Sequence, residues 1–428
     1  MTAYKLMSVS ELKEEFESVL AEYKQLCNRH LSLDMSRGKP GFDNMDLSVD
    51  IFDLVGKSTG YKNISGIDCR NYGGLDGLAE LKSLFGELLG LPDEQIIVGG
   101  NSSLNLMFDT VAQAMTHGMG GEPWSDCKDR KFLCPVPGYD RHFAITEYFG
   151  FKLIPVKTDE NGPVMDIVEE LVKDPTVKGI WCVPKYSNPS GITYSDEVVR
   201  RMARLKPAAA DFRIFWDNAY CVHDLYDDGD KLLNIYDECV AAGNPDLPLI
   251  FTSTSKISFP GAGVAAEAGS HNNVALIKRR MKFQTIGPDK LNQLRHARLF
   301  KNADDVKKHM KRHAEILRPK FEAVLNEFDS KLNGLDIAKW TSPKGGYFIN
   351  LDVMEGCAKR TVELCANAGM ILTAAGATYP YGVDPEDKNI RVAPSYPSVE
   401  EIEEAAKVLA VAVKYAALEK LIGAANKD

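Results

Sequence analysis

No stretch of this sequence approaches eighteen consecutive apolar residues, so no membrane-spanning helix is expected. Basic residues are in the minority. The 51 Lys and Arg against 60 Asp and Glu leave a net charge of −9. That balance offers no footing for nucleic acid or for an anionic membrane. The nine cysteines are odd in number and never fall at C-x-x-C spacing. They read as reduced thiols of a cytoplasmic protein, used mainly for packing. The eight histidines form no H-E-x-x-H pair, and no metal site is expected. The opening residues, Met1 to Ser8, lack the apolar core of a signal peptide. Internal repeats and low-complexity segments are missing as well.

What is present is a 428-residue chain, 44% hydrophobic and 26% charged. That is the composition of a soluble globular protein, at a length that exceeds one ordinary core. Ser8 and Glu11 form a capping-box signal. It opens a helix with Leu12, Phe16, Val19, Leu20, Tyr23 and Cys27 on one face. Residues 36–42 break that pattern with Gly38, Pro40 and Gly41. In this loop Arg37 and Lys39 either are solvated or face an anion. A second glycine-rich turn, 70–77, precedes a helix through Leu78, Leu81, Leu84, Phe85 and Leu88. Short apolar runs at 95–98, 131–134, 179–183, 212–216 and 249–252 read as strands. A strand pattern resumes at 345–351 and 389–393, and amphipathic helices are expected over 304–328 and 399–422. Strands alternating with helices argue for a mostly parallel sheet. In such sheets ligands bind beyond the carboxyl ends of the strands.

The residues at those ends are chemically complementary. Gly99, Gly100, Asn101, Ser102 and Ser103 lead from a strand into a helix, an arrangement that aims backbone N–H groups at a phosphate. The loop is neither a Walker A loop nor G-x-G-x-x-G, and Ser102 is equally explained as a helix N-cap. Tyr139, in a Pro/Gly turn, can stack on a flat ring or cover the core. Asn188, held extended by Pro189, has an amide free to donate. Asp217 follows an apolar run, and a buried carboxylate needs a partner. The partner is either a helix terminus or a protonated ring nitrogen. Lys256 ends a strand beside Ser253, Thr254 and Ser255. It is either a surface lysine or an amine with a lowered pKa, able to attack a carbonyl. A phosphate cradle, a stacking ring, donors for a phenolic oxygen, an anion for a pyridinium and an amine for an aldehyde together describe pyridoxal 5′-phosphate group by group.

At this point the sequence resembles the fold-type I pyridoxal-phosphate enzymes, and within them the class I aminotransferases, over essentially its whole length. The matching residues are Asn188, Pro189 and Gly191; Asp217 and Tyr220; Ser253, Ser255 and Lys256; and Arg391. The resemblance implies an α/β fold with a large domain, its mostly parallel central sheet flanked by helices, and a smaller α/β domain built from both chain ends. The expected division is 1–49 for the N-terminal part of the small domain, 50–300 for the large domain and 301–428 for the rest of the small domain. It implies pyridoxal 5′-phosphate as cofactor, an amino acid and a 2-oxo acid as substrates, and a homodimer with shared active sites. By the family pattern Lys256 carries the cofactor, Asp217 pairs with its ring nitrogen, and Asn188 and Tyr220 hold its ring oxygen. Tyr139 stacks on the ring, and Ser102, Ser253 and Ser255, with Asn101 and Ser103 in the same cradle, bind the phosphate. Tyr72 matches a tyrosine that reaches the partner's phosphate. Gly38 matches the glycine of the substrate loop, Arg391 matches the clamp on the α-carboxylate, and Asn188 is expected at the substrate as well.

One departure stands out. Family members usually carry a phosphate-binding arginine eight residues after the lysine, and this chain has Val264 there. Lys290, from the same or the neighbouring subunit, is a candidate replacement. Residues 137–142, 260–264 and 287–292 look most like a divergent bacterial subgroup of aspartate aminotransferases, subgroup Ic, which is itself similar to the aminotransferase domains of MocR-type regulators. No DNA-binding module is expected ahead of this one. The resemblance therefore implies transamination of aspartate with 2-oxoglutarate. A second substrate carboxylate needs a second cation, for which Arg141 and Lys39 are the candidates. The alternatives are a lyase or β-eliminating enzyme on the same fold, a transaminase for another amino acid such as alanine, and a non-catalytic effector module that binds the cofactor.

Overall fold

In the computed structural model, which describes residues 2–425, the first helix begins where its capping box predicts. Ser8 and Glu11 bond reciprocally and helix Val9–Cys27 follows. The central sheet has eight strands. Their spatial order is Ile96–Val98, Ala265–Gly269, Pro248–Ser253, Arg213–Asp217, Val177–Cys182, Lys131–Val136, Lys152–Asp159 and Gly162–Pro163. The middle of the sheet is parallel, and Ala265–Gly269 runs antiparallel to both its neighbours. Two reversals restore direction, so Ile96–Val98 points the same way as the parallel strands. The chain therefore leaves six strands along one sheet edge, at residues 99, 137, 160, 183, 218 and 254, and all but the one at 160 carry the expected site residues.

Helices cover both faces, which explains the unbroken apolar runs of the inner strands. Alternate residues enter opposite cores. Ile180, Ile214 and Ile250 join one, while Trp181, Phe215 and Phe251 join the other. The expected strand 212–216 is displaced by one residue. Arg213–Asp217 is buried throughout, so Asp217 ends the strand instead of following it.

A third core joins the two ends of the chain. Leu33–Asp34 pairs in parallel with Met370–Ile371. Beside them Ala338–Trp340, Ile349–Val353 and Asn389–Val392 form an antiparallel sheet. The strand pattern expected from 345 begins only at Ile349, because Gly345 and Gly346 are pressed against Tyr186. A Cβ on Gly345 would lie 2.1 Å from that ring. Helix Ala303–Lys331 spans two cores. Val306 and Met310 pack beneath the large sheet, and Leu317, Phe321, Val324 and Phe328 pack in the third core. Among the described residues, no helix is long and apolar enough to cross a membrane. No cluster there of three or more His, Cys, Asp or Glu could hold a metal ion. All nine cysteines are free thiols.

Candidate active site

The strand ends open into a cavity of about 590 Å³ lined by residues from 36 to 391. Lys256 sits at its base. The Lys256 amine lies 5.0 Å from the centre of the Tyr220 ring and 5.9 Å from that of Tyr347. Burial lowers its pKa from the usual lysine value, with the Asp217 carboxylate pulling the other way. An amine so placed is more readily neutral, and only the neutral amine attacks a carbonyl.

Asp217 is buried, with one oxygen engaged. His142 Nε2 lies 2.9 Å from Asp217 Oδ2, and since an ionised carboxylate only accepts, the imidazole donates. The His142 ring is fixed in turn. It stacks on Trp181 at 4.5 Å and 15°, and Tyr139 meets it edge-on at 4.9 Å. Trp181 Nε1 donates to Thr146 Oγ1 at 3.2 Å. The other oxygen, Asp217 Oδ1, is buried and has no partner among the described residues. An orphaned carboxylate oxygen at the base of a cavity fits a protonated ring nitrogen, so the residues present suit pyridoxal 5′-phosphate. Tyr139 and Tyr220 flank the same space. Burial first, then the Asp217 and Asp140 carboxylates, pushes the Tyr139 phenol up to about 12, and burial with the neighbouring Tyr139, Asp217 and Tyr347 holds Tyr220 well above the ordinary tyrosine value.

Hydroxyls gather at the opposite side. Ser253 Oγ donates to Ser255 Oγ at 3.1 Å, and Ser255 Oγ donates to the Asn101 carbonyl at 3.2 Å. Ser102 caps helix Ser103–His117 through Leu104 N at 3.2 Å, so the plain reading of Ser102 holds as well. Ser102 and Ser103 line the cavity, whereas Asn101 reaches it only through its backbone contact with Ser255.

Arg391 stands above them. Its Nη1 donates to Asp140 Oδ1 at 3.0 Å and to Asn188 Oδ1 at 3.3 Å, and its Nη2 donates to Thr373 Oγ1 at 3.1 Å. The guanidinium lies 5.2 Å over Phe348, and Arg391 Nε is buried without a partner among the described residues. Because the Asn188 oxygen faces Arg391, its NH2 group is turned the other way. Gly38 fits against Phe348 only for want of a side chain, since a Cβ there would lie 2.3 Å from the ring.

Two expected cations line the cavity mouth. Lys39 sits 3.8 Å over the Tyr396 ring. Arg141 is exposed and has no ion pair among the described residues. Arg37 lines the cavity as a third. Tyr72 is elsewhere, 83% exposed at the tip of the 70–77 turn. Lys290 is also outside the cavity. Its buried amine donates to the Gly73 carbonyl of its own chain at 2.6 Å. Val264 is buried and contributes no charge. Sequence reasoning missed His142, Trp181, Asp140, Thr373, Tyr347 and Phe348. Of these, only Asp140 and His142 lie in a stretch singled out for its family resemblance, 137–142, and nothing local marks their roles.

The family model described as aspartate amino-transferase matches residues 7–425. A protein of Mycolicibacterium smegmatis is 48% identical over 98% of this chain and 99% of its own length. The aspartate aminotransferase of Corynebacterium glutamicum is 47% identical over 94% of each chain. The crystal structure of an aspartate transaminase from Corynebacterium glutamicum superposes with a TM-score of 0.94 at 45% identity, covering 97% of this chain and 98% of that one.

Proposed function

The chain belongs to the aspartate aminotransferase family, and we propose that within it the substrates are a dicarboxylic pair, aspartate and 2-oxoglutarate. As a member it is a fold-type I, pyridoxal 5′-phosphate-dependent aminotransferase. The observation that carries the substrate reading is the distribution of positive charge around one cavity. Arg391 is braced on one wall, and Arg37, Lys39 and Arg141 line the same space. A monocarboxylic substrate needs only the first. The name of the Corynebacterium glutamicum relative supports the same choice.

Each side chain then has a task. Lys256 would hold the cofactor covalently and, with its amine free, would take the proton from the substrate Cα as general base. The bound cofactor supplies the electron sink for the pair left on that carbon. Asp217 keeps the ring nitrogen protonated through Oδ1, and His142 fixes Oδ2. Tyr220 and the Asn188 amide hold the ring oxygen, and Tyr139 stacks on the ring. Ser102, Ser103, Ser253 and Ser255, with Asn101 behind them, cradle the phosphate. Arg391 Nε, without a partner among the described residues, is a donor for the α-carboxylate, and Gly38 leaves room beside it.

The same reading places the protein in the cytoplasm, where nine free thiols stay reduced. It makes the protein a homodimer. Ile64, Tyr72 and Phe283, each more than four-fifths exposed, would be covered by a second copy, and Tyr72 would reach the partner's phosphate. The same reading assigns 1–49 and 301–428 to the small domain and 50–300 to the large one, with Val306 and Met310 of helix Ala303–Lys331 packing back beneath the large sheet.

Steady-state kinetics test the substrate reading. Arg141→Ala or Lys39→Ala should lower kcat/KM for aspartate at least about tenfold more than for alanine, as losing a charge-assisted contact requires. Equal losses for both substrates in both variants, or a wild type that prefers alanine, would remove the dicarboxylate assignment.

A further inference from the structure

We propose that Arg295 supplies the positive charge opposite the cofactor phosphate that Val264 leaves missing. The inference rests on the reading that Ser102, Ser253 and Ser255 cradle that phosphate.

A phosphate monoester carries about −1.5 to −2 charges at neutral pH. The cradle meets it with hydroxyls, backbone amides and the end of helix Ser103–His117, which is worth roughly half a charge. Lys256 is committed to the cofactor's carbonyl end. Lys290 is spent on the Gly73 carbonyl. A buried anion left so poorly compensated is costly.

Helix Lys290–Leu299 lies against the outer side of both loops that form the cradle. Asn292 Nδ2 donates to the carbonyls of Ala262 and Gly263, each at 3.0 Å. Gln293 Nε2 donates to the carbonyls of Val98 and Gly99 at 3.1 and 3.0 Å. His296 Nε2 lies 2.7 Å from Ser258 Oγ, two residues beyond Lys256. Three residues of one helix face thus clasp the two loops, and Arg295 stands on that face, one turn from Asn292. With Gly100, Asn101, Gly263 and Val264 it lines a cavity of about 170 Å³ behind the cradle. Asp289 lines it too, but its Oδ1 already accepts from Asn292 N at 3.0 Å as the helix cap. Arg295 has no hydrogen bond or ion pair among the described residues, and its Nε is buried and orphaned. A buried guanidinium nitrogen without an acceptor, a phosphate loop without a cation and a cavity lined by Arg295 and by backbone of both loops are explained together if the charge acts across that cavity. Arg295 is then a positioning residue, reaching the cofactor from behind instead of from the loop that carries Val264.

The test compares pyridoxal 5′-phosphate with pyridoxal, which keeps the aldehyde and ring but lacks the phosphate. Full-length wild type, Arg295→Gln, Arg295→Lys and Ser255→Ala are each loaded with either compound. Equilibrium dissociation is read from the absorbance of the lysine-bound chromophore, and sedimentation velocity records the oligomeric state. Arg295→Gln should weaken the phosphorylated cofactor at least about tenfold, the scale of a lost charge-assisted contact. It should leave pyridoxal affinity and assembly unchanged, and Arg295→Lys should recover part of the loss. If Arg295→Gln weakens both compounds equally, weakens neither, or acts only by dissociating the assembly, the proposal is overturned. Ser255→Ala separates the two levels. A phosphate-specific loss there with none in Arg295→Gln removes Arg295 alone. No phosphate-specific loss in either variant removes the cradle and Arg295 together.

Discussion

Asp217 illustrates how a residue acquires a function from its neighbours. Its two oxygens are treated differently, Oδ2 held by His142 at 2.9 Å and Oδ1 buried with no partner among the described residues. A carboxylate left half-satisfied is a poor structural device and a good counter-ion for a ring nitrogen. Asp217→Ala should therefore keep the cofactor bound through Lys256 but reduce kcat for transamination by about a hundredfold or more, the usual cost of removing one preorganised charge. Near-normal turnover would reduce Asp217 to a strand-end residue. Much at this scale was legible because the chemistry-bearing residues sit at strand ends, where an aspartate, a lysine or an Asn-Pro step stands out from an apolar run. His142 was not legible as the partner of Asp217. Its role arises from a contact 75 positions away and from stacking on Trp181, and neither leaves a local pattern. Tyr72 is the opposite case, conspicuous in the sequence yet outside the cavity of its own chain.

Among the elements, the fully buried parallel strands announced themselves by apolar runs, and helices Val9–Cys27, Ala79–Leu89, Ala303–Lys331 and Val399–Ala425 by their periodicity. Strand Ala265–Gly269 did not. Three alanines, a glycine and a glutamate have little strand preference, and only its place between two other strands dictates the conformation. Its Glu267 is buried, with Thr110 Oγ1 donating to Oε1 at 3.0 Å. Burial raises its pKa to about 8, with the Thr110 hydrogen bond opposing. The folded chain therefore keeps a proton that the unfolded chain, with an ordinary carboxyl, releases near pH 4.5. The linked stability is fully present below about pH 4.5 and is lost as pH rises through about 8. Glu267→Gln should remove that dependence. Melting curves at pH 7 and pH 9 should show the wild type losing at least roughly 2 °C more than the variant. Parallel losses would mean that Glu267 is ionised in the folded protein.

At the scale of the whole molecule, the sheet gathers one edge from residues 99, 137, 183, 218 and 254, and the third core brings Gly38 and Arg391 over that edge. The parallel topology was legible from the alternation of strands and helices. The closing of the cavity by both chain ends was expected only through the family resemblance and not from any local pattern, because it depends on the pairing of Leu33–Asp34 with Met370–Ile371, two residues on each side with no signal of their own. All of this converges on one amine, buried between Tyr220 and Tyr347. The most direct measurement is borohydride reduction of the cofactor-loaded protein followed by peptide mapping. The account predicts a single phosphopyridoxyl-labelled peptide carrying Lys256, and no label in Lys256→Ala. A stoichiometric label on any other lysine, or a label that survives in Lys256→Ala, would contradict it.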